Sequence, residues 1–297
     1  MLVNCEGGAA ASAGDKLPDQ LAQAFEAAGV RTEILILRVA ELDEALGQAV
    51  RDKKRVVIAG GDGTVSCAAK HLVGTEVELA LLPLGTLNHL ARDLGIPTDL
   101  ESAAKLAVHG QSTYIDVGEV NGQFFVNNAS IGLYPSMVRR RDMPQRRALP
   151  KWLAALPASW EALSRIRHHR LYVDMGAGEH PLVTSLLFVG NNEYSLEAGS
   201  LGRRTTLQAG NLSVYAIGGR RRLALISFAL RALVGRIDRL ADFVVIGDCR
   251  EITVRSLGGS IEIALDGEVQ RLACPLRFRI VPRSLRVVTP PATEPGV

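Results

Sequence analysis

The sequence predicts two domains of different class: an α/β domain over residues 1–112, with a parallel sheet covered by helices on both faces, and an antiparallel β-sandwich over residues 113–289. Three observations lead there. Up to Gly110, apolar strand-like runs alternate with amphipathic helical stretches, the pattern of a parallel sheet with crossover helices. From Thr113 onward the chain reads as many short strands separated by turn signals, the pattern of a sandwich or barrel. Two glycine-rich turns, at Gly60 and Gly85, follow directly on apolar strands, at the sheet edge where α/β folds gather ligands.

The elements follow in order. Residues 1–4 form a short strand, 17–28 an amphipathic helix closed by Gly29, and 33–39 an apolar strand. Residues 41–50 read as helix, 55–59 as strand and 79–82 as strand, turning at Pro83-Leu84-Gly85-Thr86. Thr86 or Asn88 caps a helix that runs through Leu94 and stops at Gly95, with Pro97 beyond. Asp99 caps the next helix, 99–109, which Gly110 ends. In the second domain, 114–120 and 123–129 flank Asn121-Gly122, the strongest short-range hairpin signal. Further strands are expected at 170–174, 182–189, 212–217, 243–246, 251–256, 260–265 and 276–281. The tail 290–297, with Pro290, Pro291 and Pro295, has the composition of a disordered end.

The chain has 297 residues, 47% hydrophobic and 22% charged, which is ordinary for a globular protein with a substantial core. Its net charge of +3 gives no global field for nucleic acid, and none is expected as a partner. Cys5, Cys67, Cys249 and Cys274 are scattered without C-x-x-C spacing, which fits a reducing compartment. No basic stretch followed by an apolar one opens the chain, so no signal peptide is expected. The most apolar stretch, 223–235, contains Arg231 and is too short to span a bilayer. A cytoplasmic protein is the expectation.

A basic helical insertion is expected over 138–170. Arg139-Arg140-Arg141, Arg146, Arg147, Lys151, Arg165 and Arg167 face only Asp142 and Glu161, with Trp152 and Trp160 between them. Cations beside amphipathic tryptophans suit an anionic membrane surface, which would place the protein peripherally on the inner face of the membrane. A solvated helical hairpin with core tryptophans accounts for the same residues.

Chemistry concentrates at Gly60-Gly61-Asp62-Gly63-Thr64. Glycines let a backbone approach a phosphate chain and present its N–H groups, and the following helix aims its positive end at the same place. Asp62 would repel phosphate unless a cation lay between them, so a nucleotide–Mg²⁺ site is one reading, with Asp62 as the carboxylate toward the metal. A tight strand-to-helix turn with Asp62 as N-cap is the other. The second turn reads Leu84-Gly85-Thr86-Leu87-Asn88, and Asp266-Gly267-Glu268 follows a β-run far downstream. Alone, that last triplet reads as a β-turn.

Together these three motifs resemble the diacylglycerol kinase catalytic-domain family, which includes bacterial lipid kinases and the sphingosine and ceramide kinases and is related in fold to NAD kinases. The resemblance runs from Asn4 to the C-terminal β-run. It implies ATP-dependent phosphorylation of a lipid hydroxyl in a cleft between a nucleotide-binding α/β domain and a β-sandwich, with Mg²⁺ accompanying ATP. Gly60, Gly61, Asp62, Gly63 and Thr64, continued by Val65 and Ser66, match the family's phosphate-contacting motif. Gly85 and Thr86 match its second contact, and Asn4 with Gly7 and Gly8 resembles a worn version of its first nucleotide loop, in which asparagine is followed by serine-glycine. Glu268 stands where the family places its proton acceptor, with Asp266 beside it as the second catalytic candidate.

The sequence departs from that pattern at four places. Ser66-Cys67 replaces asparagine-glutamate, and His89 replaces an aspartate. Ala209 replaces the aspartate of an accessory metal loop, and Arg38 or Val39 stands where a threonine is expected. A small-molecule kinase of the NAD kinase type shares the first motif, and a non-catalytic sensor of lipid or nucleotide would fit the departures. Arg203-Arg204 reads either as a phosphate contact or as surface arginines. An exposed sheet edge in the second domain offers a surface for a homodimer.

Overall fold

The computed structural model describes residues 1–6, 16–132, 168–195, 203–216 and 244–291. Gly7, Gly8, the stretch 223–235 and the expected insertion up to residue 167 lie outside them, as does the expected tail from residue 292.

The chain opens β1 (Leu2–Asn4), α1 (Leu17–Ala27), β2 (Leu35–Leu37), α2 (Val39–Asp52), β3 (Arg55–Gly60), α3 (Asp62–Leu72), β4 (Glu78–Pro83), α4 (His89–Asp93) and α5 (Leu100–His109). Strands β1 to β4 pair in parallel in the order β2-β1-β3-β4. Their alternation sends side chains to two faces. Val56, Ile58, Leu79 and Leu81 pack with Leu42 and Leu46 of α2 and with Val65, Ala68 and Leu72 of α3. Ala59, Ala80 and Leu82 pack the other way, with Leu21 and Phe25 of α1 and with Ala103, Ala104 and Ala107 of α5. The predicted helices on both faces of a parallel sheet are therefore present. Asp99 accepts from the Ser102 N–H at 2.8 Å and caps α5 as expected.

The second half supplies β5 (Gln111–Val120), β6 (Gln123–Phe125), β7 (Asn128–Gly132), β8 (His169–Asp174), β9 (Glu179–Thr184), β10 (Leu186–Asn191) and β11 (Leu212–Ala216). Then come β12 (Val244–Cys249), β13 (Glu251–Ser256), β14 (Ser260–Leu265), β15 (Glu268–Ala273) and β16 (Leu276–Thr289). Six strands form an antiparallel sheet in the order β12-β11-β10-β7-β14-β15. It packs on β5, β8, β13 and the first half of β16 through a core that includes Phe125, Ile131, Leu187, Val214, Val254 and Phe278. The antiparallel sandwich is thus present, but its second layer is not a separate sheet. It is continuous with the parallel one.

The joint is β16. Its first half pairs with β13, its last residues pair with the start of β5, and Val287 meets Leu79 of β4 in parallel. The strand expected over 276–281 continues through Pro282 because the register shifts between Val281 and Leu285, where a proline without an N–H is tolerated. The buried Asp116 carboxylate accepts the Arg283 N–H at 2.9 Å and holds this irregularity in place. Residue 112 falls inside β5, and Leu285, Val287 and Val288 complete the core of the N-terminal unit.

Other strands also differ from expectation, and β15 stands where none was expected. The strand expected over 123–129 divides at Val126-Asn127, so that β6 stays in one sheet and β7 joins the other. The run expected over 182–189 divides at Ser185 into β9 and β10. The Asn121-Gly122 hairpin is as expected, with φ of 48° and 82°, and joins β5 to β6.

Candidate active site

Strand β3 ends at Gly60 and β4 at Pro83, side by side, and the two glycine turns continue from there in contact. A Cβ on Gly61 would lie 3.2 Å from the Gly85 Cα, and one on Gly85 would lie 2.5 Å from the Gly61 Cα. A Cβ on Gly60 would lie 2.5 Å from Thr64 Oγ1. None of these glycines has a positive φ. Glycine is required at Gly61 and Gly85 because two backbones touch, and at Gly60 because the Thr64 side chain lies against it.

Side chains then brace the loops. Asn88, in the left-handed region at φ 48°, accepts from the Gly85 N–H at 3.0 Å and donates to the Gly85 carbonyl at 2.8 Å. Asp62 Oδ1 accepts the His89 N–H at 2.7 Å. The cap of α4 is therefore Asp62, from the other loop, and neither Thr86 nor the Asn88 side chain. Asn4, at the end of β1, donates from Nδ2 to Thr64 Oγ1 at 2.9 Å and fixes the first turn of α3.

The third motif arrives on the β14–β15 hairpin. Asp266 and Gly267 have φ of 48° and 93°, a two-residue turn that pairs Leu265 with Glu268. Asp266 points inward. Its Oδ2 accepts the Val126 N–H at 2.8 Å and the Ser66 hydroxyl at 2.8 Å, and its Oδ1 accepts the Asn127 N–H at 2.8 Å and the Asn128 N–H at 3.1 Å. Burial pushes its carboxyl above the ordinary value, against the pull of these four donors. The donors taken from Val126 and Asn127 explain why β6 and β7 divide there.

Glu268 points the other way. Its side chain is 56% exposed, Oε2 lies 3.4 Å from Lys70 Nζ, and Oε1 lies 3.7 Å from where a Gly63 Cβ would be. Asn4, Gly61, Gly63, Thr64, Gly85, Thr86 and Glu268 line one cleft of about 490 Å³, together with Val39, Leu42, Asp43, Cys67 and Lys70. The structure thus brings together residues from the three motifs. Five described candidates do not line it: Gly60 lies against the Thr64 side chain, Asp62 caps α4, Val65 packs in the core, Ser66 is buried on Asp266, and Asp266 is held by four donors. Gly7 and Gly8 lie outside the described residues.

Asp43, Cys67 and Lys70 join the cleft without any motif to announce them. Helical spacing from Gly63 (i+4 to Cys67, i+7 to Lys70) was the available signal. Burial pushes the Cys67 thiol up, so it enters as an uncharged wall. Arg204 is neither a phosphate contact nor a surface residue. Its Nε lies 2.7 Å from Asp93 Oδ2 with both side chains buried, and its Nη atoms donate to the Val126 carbonyl and to Asn127 Oδ1. This pair ties α4 to the same Val126-Asn127 segment that Asp266 holds.

Among the described residues no group of three or more His, Cys, Asp or Glu is arranged to hold a metal ion. The loop with Ala209 is closed by protein: the Ala209 N–H goes to Asn192 Oδ1 at 3.0 Å and the Gly210 N–H to Asp116 Oδ2 at 2.7 Å. At the glycine turns Asp62 is the single carboxylate. One carboxylate fits an Mg²⁺ carried on a nucleotide's phosphates and does not fit an all-protein cage.

Several known proteins are similar to this chain. Residues 1–120 match the diacylglycerol kinase catalytic domain. A stretch of 94 residues is 45% identical to a protein of Klebsiella pneumoniae named "Probable lipid kinase YegS-like", covering 31% of each chain. A stretch of 118 residues is 37% identical to a Bacillus subtilis protein named "Diacylglycerol kinase", covering 38% of this chain and 39% of that one. These matches span about a third of the length of the curated relatives. The fold extends the likeness over the rest. A Bacillus anthracis diacylglycerol kinase structure superposes with a TM-score of 0.67 at 20% identity, over 99% of this chain and 97% of that one. An NAD kinase from Archaeoglobus fulgidus in complex with ATP superposes at 0.51 and 12% identity, over 97% and 91%.

Proposed function

We propose that the protein is an ATP-dependent lipid kinase that moves the γ-phosphoryl group of ATP to a hydroxyl of a lipid such as diacylglycerol, with Glu268 as general base. What supports this most is the meeting of Glu268, 198 residues along the chain from Lys70, with Gly61, Gly63, Thr64 and Gly85 around one cleft. The first turn of α3 directs its N–H groups and positive end to where phosphates would lie. Glu268 reaches over that turn from the other sheet, so a hydroxyl entering from the sandwich side would meet the carboxylate before the phosphate. The hydroxyl proton passes to Glu268 as its oxygen bonds to the γ-phosphorus and the bond to the β-phosphate oxygen breaks, releasing ADP. Mg²⁺ bound with ATP would neutralise phosphate charge, with Asp62 as the residue to hold it.

The lipid reading extends to the bilayer. The composition of 138–170 supports contact with an anionic surface, and β9, an edge strand with Val183 exposed, supports pairing in a homodimer. Among the described residues no helix is long and apolar enough to cross a membrane.

The test is labelled ATP with Mg²⁺ and mixed micelles carrying diacylglycerol, a sphingoid base or phosphatidylglycerol, with NAD in a parallel arm. Label in one lipid is the expected result. Glu268→Gln is expected to lower that turnover by about 10²–10⁴-fold without weakening ATP binding. Label in NAD alone moves the protein to the NAD kinase class, and label in no acceptor overturns the reading.

A further inference from the structure

Lys70 is the single cation among the described residues that line the cleft, where Asp43 and Glu268 supply two carboxylates. We propose that Lys70 binds the terminal phosphate of the nucleotide and, in doing so, releases Glu268 to the acceptor hydroxyl. The proposal rests on the nucleotide half of the kinase reading and does not depend on which acceptor is used; its binding half stands without one.

Geometry and charge lead there together. Lys70 lies two turns into α3, and helix side chains lean toward the N-terminus, here the Gly61–Thr64 turn. Its Nζ is 3.4 Å from Glu268 Oε2, and Glu268 Oε1 reaches to 3.7 Å from the Gly63 Cβ position, so the Glu268 carboxylate touches the ammonium on one side and the phosphate turn on the other. Among the described residues that line the cleft, no other side chain brings a cation to a polyphosphate. His71 does not line the cleft and is engaged by Asp43 at 2.7 Å, and the Cys67 thiol carries no charge. The Lys70–Glu268 pair is 34% and 56% exposed, and such pairs are weak and readily exchanged. A phosphate offers three acceptor oxygens and a denser charge than one carboxylate oxygen at 3.4 Å. The exchange has a purpose. A base held by an ammonium is a poor acceptor for an alcohol proton, and a base released only when the triphosphate is bound acts only when there is a phosphoryl group to transfer.

The experiment is calorimetric binding of ATP and of ADP, each with Mg²⁺, to the full chain. Lys70→Met is expected to weaken ATP about tenfold and ADP less than about twofold, since one charge-assisted contact to the terminal phosphate is removed. Lys70→Arg should hold ATP affinity within about threefold, because the charge is kept. Glu268→Gln should tighten ATP about twofold when Lys70 is present and leave it unchanged in Lys70→Met, because the competing partner is gone. Equal losses for ATP and ADP, or no loss of ATP, overturn the proposal. So does a Glu268→Gln effect that ignores Lys70. Lys70→Gln repeats the measurement if the methionine variant loses its thermal transition. ATP binding with no labelled acceptor would sink the lipid kinase reading and leave this one standing; absence of ATP binding would sink both.

Discussion

At Gly85 a Cβ would stand 2.5 Å from the Gly61 Cα and 2.6 Å from Asn88 Oδ1, whereas at Gly63 the nearest atom would be Glu268 Oε1 at 3.7 Å. The two glycines read alike in the sequence, yet they carry different burdens. Gly85→Ala is expected to force the two turns apart, costing about 1–3 kcal/mol in thermal unfolding and more than about tenfold in ATP affinity. Gly63→Ala, inside the first turn of α3, should leave thermal stability unchanged or raised, because alanine is the better helix former. Equal damage from both would mean that the turns need conformational freedom and not close approach. The same scale separates Asp266 from Glu268. Two residues apart on one hairpin, one is enclosed by four donors and the other faces the cleft. Asp266 places the turn, and Glu268 is the group left open to a substrate.

At the scale of elements, polar groups decide where strands end and which strands stay together. Asp266 draws N–H groups out of the β6–β7 run, and the Arg204–Asp93 pair anchors α4 beside it. At the opposite end of the sheet Glu78 of β4 binds Arg55 of β3 at 2.7 Å and the Ser112 hydroxyl of β5 at 2.7 Å, with Arg286 of β16 at 3.1 Å. Burial pushes the Glu78 carboxyl up, but the Ser112 hydroxyl and the Arg55 guanidinium outweigh it and hold the carboxyl below its ordinary value. A carboxyl that is more acidic folded than unfolded stabilises the protein above the unfolded value of about 4.3, and that contribution is lost as pH falls through the folded value. Glu78→Gln should therefore cost about 1–2 kcal/mol near neutral pH, with the gap from the parent closing below about pH 4. Chemical unfolding at a series of pH values checks this, and a gap that widens toward acid would contradict it.

For the whole molecule the decisive feature is that the chain's last strand returns to its first domain. Leu285 and Val287 are fully buried in the core that α2 and α3 cover, and Val288 in the core that α1 and α5 cover. A fragment of residues 1–112 would lack these side chains and leave the Leu79 edge of β4 without its partner. It is expected to show no cooperative thermal transition, and the full chain to unfold through a single one. A cooperative transition in the fragment would show that the two halves fold independently. The continuous sheet also explains how a carboxylate on the sandwich stays in register with the nucleotide turns. β16 pairs on one side with the sheet that carries Gly60, and the sandwich it supports carries Glu268.

Much of this was legible in the order of residues. Strand–helix alternation, the glycine turns at 60 and 85 and the Asn121-Gly122 hairpin are local patterns, because they depend on the period of apolar side chains and on turn chemistry over a few residues. Those patterns carry the α/β and antiparallel classes, the three motifs carry the candidate cleft residues Gly61, Thr64, Gly85 and Glu268, and the family resemblance adds Asn4. Tertiary structure decided what no local pattern contains. It turned Asp62 into the cap of a helix on the other loop and Ser66 into a donor to Asp266, and it buried Arg204 against Asp93. It also carried β16 past Pro282 into the first domain and set Lys70 beside Glu268. Each of these joins residues far apart in the chain, and contacts of that kind are made by packing and by the need to pair buried polar groups, which leave no periodic trace in sequence.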